Sequence, residues 1–344
     1  MQKAEASRVL NRAAENARPL VSVVLSFRNE EGNIPALVTR LEAALGGQPV
    51  EYELLFVNDA STDGSFGLLT RMRERNPRVK ILHMSRRFGV AECVRAGMAA
   101  ASGDAVIYMD ADLQDPPEVI PALLDRWREG AAIVHTVRTR RLGEHPLKMW
   151  ATRVAYRLIQ AGSSIELPVD AGDFKLLSRP AVDRLLQLPE SDPYLRGLVV
   201  WLGFTQAFVP YEREARHAGR THFPFLSRNP WKTFALGLTS FSFLPVYACL
   251  ALSLAGLVAA AGLAVAAVVL LVRESPLTWM LWLLAVMTFF WATIMGAVGT
   301  TALYLIRVYK DVRGRPQYIV ESTVGIDTER TLPAPSSIER EPTA

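Results

Sequence analysis

Tyr108-Met109-Asp110-Ala111-Asp112-Leu113-Gln114-Asp115-Pro116-Pro117-Glu118 is the stretch whose reading decides the fold of this 344-residue chain. The apolar run before it, Ala105-Val106-Ile107, reads as a buried parallel strand. Its second half predicts a helix start: Asp115 at the N-cap, Pro116 at the first helical position and Glu118 in a capping box. Asp110 and Asp112 therefore fall at the carboxyl end of a strand, where open α/β sheets bind ligands. Two carboxylates one residue apart repel each other unless a cation lies between them. A hard divalent ion that also takes substrate phosphate oxygens fits such a pair. The alternative is a solvated acidic turn capping a helix, and a bare DxD does not choose between the two.

Outward from this stretch, strands and helices alternate. Residues 20–25 predict a first strand, and Ile34, Leu37, Val38, Leu41 and Leu45 come next at helical spacing. Residues 53–57 predict a second strand ending at Asn58-Asp59-Ala60-Ser61-Thr62-Asp63-Gly64. A helix with Leu68, Leu69 and Met72 inward leads to a third strand at 79–83. Such alternation means βαβ units and a parallel sheet. Downstream, residues 131–137 predict a strand that opens into a basic loop from Arg138 to Lys148, at the same edge as Asp110. Arginine forks match phosphate oxygens, so this loop is a phosphate-binding candidate; the alternative is a solvated loop. A last strand is predicted at 207–211. The chain has neither a GxGxxG nor a GxxxxGK[ST] motif, so it lacks the signatures of dinucleotide-binding and P-loop domains.

Hydrophobic residues make up 50% of the chain, and the excess is local. No charged residue occurs from Thr233 to Val272, nor from Ser275 to Ile306. Each stretch exceeds the roughly 20 residues a membrane helix needs. Arg307, Lys310, Arg313 and Arg315 come after the second stretch, which predicts that this end is cytoplasmic. The polar N-terminus has no apolar signal core. Cys93 and Cys249 are the two cysteines, too few for a disulfide framework or a zinc site. A net charge of +4 does not argue for nucleic acid.

The string DADLQDPPE, from Asp110 to Glu118, resembles the metal-binding motif of family 2 glycosyltransferases. The similarity is to the branch of dolichol-phosphate mannose synthases and bactoprenol-phosphate glucosyltransferases, and it runs from about Val21 to Glu321. SFRNEEGNI resembles the family's first loop and NDASTDGS its second, although the family often has Asp-Gly-Ser where Asp59-Ala60-Ser61 stand. The resemblance implies that Asp110 and Asp112 hold Mg²⁺ or Mn²⁺, and that Glu30, Asp59 and Asp110 bind the nucleotide. Arg86 or Arg87 could touch a diphosphate, with a surface role equally open. The Arg-rich loop is implied to meet an acceptor phosphate through Arg138, Arg140 and Lys148, with Arg141 and Arg153 as weaker candidates. Arg213 and Arg216 are implied beside the site. Val169 to Leu176 resembles the family's Gly-Asp-Phe-Arg strand entry, which points Asp173 into the site. There it acts as a base or orients substrate; the alternative is a structural carboxylate paired with an arginine.

The expected protein is thus a GT-A-type α/β catalytic domain, a Rossmann-like and mostly parallel sheet, over residues 20–221 after a polar segment at 1–19. Beyond it are expected an interfacial segment at 222–243, two transmembrane helices at 244–306 and a cytoplasmic tail at 307–344. The expected reaction is inverting transfer from a nucleotide diphosphate sugar, UDP-sugar favoured, to undecaprenyl or another polyprenyl phosphate. The resemblance implies a multi-pass protein of the inner membrane with its catalytic domain and both termini cytoplasmic, assembled as a homo-oligomer, a tetramer by analogy with relatives. Two other readings compete with this one. A processive polysaccharide synthase needs a Gln-x-x-Arg-Trp motif, whereas Arg126-Trp127 has Leu123 in place of Gln. A non-enzymatic scaffold or translocation subunit leaves the strand-end carboxylates unexplained, and the uncharged spans offer it no polar pathway.

Overall fold

The structure is a computed structural model and describes residues 18–141, 171–214, 244–271 and 276–326. Eight strands form one sheet in the order β7-β5-β6-β4-β1-β2-β3-β8. They are β1 (Leu20–Phe27), β2 (Glu51–Asn58), β3 (Val79–Met84), β4 (Ala105–Asp110), β5 (Ile133–Arg141), β6 (Ala171–Ser178), β7 (Gln206–Arg213) and β8 (Val320–Val324). Strands β1 to β4 are mutually parallel, β5 and β7 run with them, and β6 and β8 run against them. The mostly parallel sheet expected from the alternation is present, with two reversals that the pattern did not mark.

Both faces are covered, which is why β1, β2 and β4 read as nearly unbroken apolar runs. On one face lie α1 (Ile34–Gly46), α2 (Ser65–Arg75) and α4 (Ile120–Arg128), burying Leu37, Leu41, Leu69 and Leu123 against Val23, Phe56 and Ile107. On the other lie α3 (Val90–Ala100), α5 (Arg179–Gln187) and α6 (Leu195–Trp201), which bury Val94, Leu185 and Leu198 with Val24, Leu55 and Tyr108. Gly97 brings α3 close to the sheet, because a Cβ there would overlap Val24.

Two expectations at element ends are corrected. Asp115 is not an N-cap and Glu118 makes no capping box. A short 3₁₀ turn, Pro117–Val119, precedes α4, and Pro116 is extended at φ −71° and ψ 126°. Pro117 disfavours the helical region for the residue before it, so the helix starts later than the motif suggested. Glu118 instead pairs with Arg40 of α1 at 2.6 Å. Residues Arg138 to Arg141 are not the start of a loop. They extend β5, because Arg138, Arg140 and Arg141 continue the parallel pairing onto Tyr211, Glu212 and Arg213.

Beyond the sheet come two long helices, α7 (Leu244–Leu271) and α8 (Pro276–Arg313), where the sequence predicts two spans. They pack antiparallel: Gly256 lies against Phe289, and Cys249 Sγ lies 3.1 Å from Thr300 Oγ1. Among the described residues one stretch, Phe289–Arg313 within α8, is long and apolar enough to cross a membrane, at mean hydropathy 1.6. The chain then returns to the sheet as β8, antiparallel to β3. Residues assigned to a tail thus include an edge strand of the same sheet. The proposed interfacial segment at 222–243 lies outside the described residues.

Three adjacent strands place Tyr108, Lys175 and His135 side by side in register, all buried. Burial, and then the Lys175 ammonium, push His135 down to about 3. Between that value and the ordinary 6.5, the folded protein keeps His135 neutral while the unfolded chain protonates it. Stability from this residue is therefore present above pH 6.5 and is lost as pH falls toward 3. Unfolding free energy measured from pH 7 to pH 4 should fall less steeply in His135→Gln than in the parent, by up to about 1.4 kcal/mol per pH unit. Parallel slopes would show that His135 is not the group responsible.

Candidate active site

The carboxyl ends of β1, β2 and β4 meet at one edge of the sheet. Strand order reverses between β1 and β4, since β1 is flanked by β2 on one side and β4 on the other. That reversal opens the crevice in which α/β sheets hold ligands. Three non-glycine residues adopt left-handed backbone there: Asn29 (φ 57°) after β1, Ala60 (φ 51°) after β2 and Leu113 (φ 59°) after β4. Backbone strain of this kind gathers at functional sites. The first two loops are stapled together: Asn29 N donates to Ser61 Oγ at 3.0 Å, and Thr62 N donates to Asn29 Oδ1 at 2.8 Å.

Glu30 and Asp59 are both buried at this edge. Glu30 Oε2 accepts from Asn33 Nδ2 at 2.5 Å. Asp59 Oδ1 accepts from the backbone N–H of Phe88 at 2.6 Å and, more weakly, of Gly89 at 3.4 Å. Asp59 therefore ties the end of β2 to the start of α3. Arg86, from the same loop, stacks on the Phe88 ring at 3.9 Å. Asp63 behaves as the turn residue expected, accepting from Ser65 N at 3.1 Å.

Asp110 closes β4, with Ser26 Oγ donating to its Oδ1 at 3.2 Å. Burial, and then the carboxylates of Asp112, Asp173 and Asp115, push Asp110 up to about 7. Asp112 is buried in the next turn, where its Oδ1 accepts from Gln114 N at 3.2 Å. An edge this rich in buried carboxylate oxygens fits a hard divalent cation. Among the described residues no group of three or more His, Cys, Asp or Glu side chains could hold a metal. Asp110 and Asp112 thus suit an ion completed by substrate phosphates, and not a closed protein cage.

Two ionic clusters flank this pair. On the α1/α4 face, buried Asp115 accepts from the Tyr211 hydroxyl, which in turn accepts from Arg138 Nε at 3.0 Å. Arg138 Nη2 and Arg213 Nε approach the same Asp115 oxygen at 3.9 and 3.7 Å. Gly172 makes room for Arg138, since a Cβ there would lie 2.7 Å from its Nη2. Burial works against the Arg138 charge, but Asp115 and Tyr211 raise it overall above the ordinary value. On the α3/α6 face, Asp173 is gripped by both ends of the Arg196 fork, with Nε at 2.7 Å. Burial works against the Asp173 charge, yet Arg196 holds the carboxyl well below the usual range. The arginine partner offered as the alternative for Asp173 is therefore real. Register places Asp173 beside Asp110, because Tyr108 pairs with Lys175.

The structure thus brings together Glu30, Asp59, Asp110, Asp112, Arg138, Asp173 and Arg213 at one edge. Arg140 is placed on β5 opposite Glu212 by its backbone. Lys148, Arg153 and Arg216 lie outside the described residues. Sequence reading gave no role to Arg196, Tyr211 or Lys175, and misassigned Asp115. Arg95, on a helix near the site, is buried and donates to the carbonyls of Leu185, Leu186 and Leu188.

A mostly parallel α/β sheet with paired carboxylates at its carboxyl edge is a GT-A-like arrangement. Comparison with known proteins gives the family. Residues 22–186 match the profile described as Glycosyl transferase family 2. The chain is 37% identical to the uncharacterized glycosyltransferase YkcC of Bacillus subtilis, over 90% of this chain and 95% of that protein. It is 33% identical to the SfII prophage-derived bactoprenol glucosyl transferase of Shigella flexneri, over 88% of this chain and 98% of that protein. A solved structure, glucosyl-3-phosphoglycerate synthase of Mycobacterium tuberculosis with Mn²⁺, UDP-glucose and phosphoglyceric acid, is 22% identical at TM-score 0.48, covering 66% of this chain and 81% of that one. The chain belongs to glycosyl transferase family 2 and is a glycosyltransferase.

The left-handed Ala60 yields a direct test. A Cβ in that region costs about 1–2 kcal/mol, whereas glycine adopts it freely. Ala60→Gly should raise the melting temperature, by a few degrees at most, once the added entropy of the unfolded chain is subtracted. An unchanged or lower value would show that the turn is not strained.

Proposed function

We propose that this protein transfers a sugar from a nucleotide diphosphate sugar to a polyprenyl phosphate at the membrane surface, with inversion at the anomeric carbon. The observation that carries the reading is the near full-length similarity to a bactoprenol glucosyl transferase, over 88% of this chain and 98% of that protein. Undecaprenyl phosphate is the acceptor favoured, and the product is a lipid-linked monosaccharide for cell-envelope glycan modification. A UDP-sugar is the favoured donor, because a carboxylate at the place of Asp59 can accept from a uracil N–H.

Glu30 and Asp59 orient the nucleoside. Asp110 and Asp112 hold Mg²⁺ or Mn²⁺, which neutralises charge on the leaving diphosphate when bound. Asp173 faces the acceptor side and orients it. The acceptor is a phosphate monoester with a second pKa of about 6, so it is already largely anionic at neutral pH. It needs little help from a base, and a catalytic histidine is unnecessary. Arg138 and Arg213 supply the positive charge that draws that phosphate in, and Asp115 with Tyr211 preorganises them. Positioning and charge stabilisation then carry the rate.

Both helices belong in the bilayer in this reading, with the catalytic domain and both termini cytoplasmic. Tyr247, Val258, Met280 and Trp291 are all more than half exposed, which leaves a broad apolar surface without a partner among the described residues. Lipid acyl chains are the natural solvent for it, and the acceptor's phosphate then lies at headgroup level beside the site. Anchoring raises the effective concentration of enzyme and acceptor without any new contact.

Labelled nucleotide sugars, incubated with the full-length protein in membranes containing undecaprenyl phosphate, should yield a lipid-linked monosaccharide. Polymer, or no lipid product from any donor, would overturn the reading. Asp112→Asn keeps the size of the side chain and removes a charge. Turnover should fall by about two orders of magnitude or more, with loss of Mn²⁺ binding and an unchanged melting curve. Full turnover in the variant would remove Asp112 from the metal site. Arg138→Lys keeps a charge near Asp115 but loses the fork, so it should raise the KM for the acceptor severalfold and leave that for the donor within about twofold. An equal rise in donor KM would place Arg138 on the donor diphosphate instead.

A further inference from the structure

The last turns of α8 are fastened to the catalytic domain at three consecutive residues. Arg307 Nη2 lies 3.4 Å from Glu190 Oε2, and Lys310 pairs with Asp192. Between them, Ser191 N donates to Asp311 Oδ1 at 2.9 Å and Ser191 Oγ donates to the Lys310 carbonyl at 3.0 Å. Gln317, just beyond the helix, donates to the Glu190 carbonyl. The chain then turns at Gly314 (φ 61°) and closes the connection by adding β8 to the sheet. Tyr318, Val320 and Ile326 pack on the α3/α5/α6 core as it does so.

The segment from Leu188 to Tyr194 is also held at its start, from α3. Buried Arg95 donates to the carbonyl of Leu188 at 3.1 Å and to those of Leu185 and Leu186 just before it. Pro189 and Pro193 bracket the gripped triplet. Proline fixes φ, so a displacement at 190–192 is passed along the chain more than it is absorbed. The chain next enters α6, whose second residue, Arg196, grips Asp173.

We propose that Glu190, Ser191 and Asp192 are positioning residues: the grip of α8 on this triplet fixes α6, and so holds Arg196 on Asp173 at the active site. Through it, the tilt of a helix placed in the bilayer is coupled to the acceptor side of the site. A single exposed ion pair contributes little by itself, but here several contacts converge on three residues and a strand closes the link. The proposal rests on the functional reading above in taking Asp173 as part of the site and α8 as a helix in the bilayer.

The test uses the full-length protein in lipid nanodiscs, as parent, Asp192→Lys, Lys310→Asp and the double variant that exchanges the two charges. Amide hydrogen exchange over 194–201 reports on α6 without needing any substrate. Each single variant should speed that exchange about three- to tenfold, leave exchange in α1 unchanged, and lower kcat by a similar factor with donor KM within about twofold. The exchanged pair should restore both. A merely structural contact would shift the melting curve without this selective change and this rescue. The proposal is overturned if α6 exchange is unaltered in both single variants. It is also overturned if kcat falls while α6 stays protected, because α8 would then act only by placing the domain over the membrane. If the parent makes no lipid-linked sugar yet α6 responds and is rescued, the acceptor assignment fails and the positioning role stands.

Discussion

Four carboxylates, Asp110, Asp112, Asp115 and Asp173, crowd one edge of a largely apolar sheet, and the rest of the site depends on how each is compensated. Burying a charge without a partner is costly. Asp115 is met by Arg138, Tyr211 and Arg213. Asp173 is met by Arg196. Asp110 is surrounded instead by the other carboxylates and Ser26, and it is pushed up toward neutrality. In the function proposed here, the place for one more cation is beside Asp110 and Asp112. The two compensated aspartates serve as rigid supports that hold arginines on either side.

This division explains the sheet's departures from a simple parallel order. β6 runs against β4, which brings the start of β6, with Asp173, to the edge where β4 ends. A parallel strand in the same place would carry Asp173 to the far edge. β5 and β7 run with β4, so Arg138 and Tyr211 arrive at the same edge from the other direction and meet over Gly172. Reversal of one strand thus assembles the side proposed for the acceptor opposite the side, formed by β1 and β2, proposed for the nucleotide.

The long helices join this arrangement at a second point. β8 places the segment after α8 inside the catalytic sheet, and the Glu190–Asp192 triplet holds the end of α8 itself. The catalytic domain is therefore not separable by cutting the chain before α7. Such a cut would remove an edge strand together with Tyr318 and Val320 from the core.

Much of this was legible in the sequence. Alternating apolar strands and amphipathic helices marked the parallel core, because burial on both faces leaves its pattern in consecutive residues. Asp110 and Asp112 were legible because strand-end position and chemistry lie within one short string, and Glu30 and Asp59 because their loops come after strands in the same way. Long uncharged stretches marked α7 and α8 for the same local reason. What the tertiary structure alone decided are pairings between residues far apart in the chain. Asp115 has the local pattern of a helix cap, and only the arrival of Tyr211, 96 residues later, makes it a buried anchor. Arg196 is an ordinary residue on a short helix until β6 brings Asp173 to it. β8 is a five-residue polar strand with no periodicity to announce it. Local sequence encodes the preferences of neighbouring residues; charge compensation and strand reversal depend on long-range contacts that only folding creates.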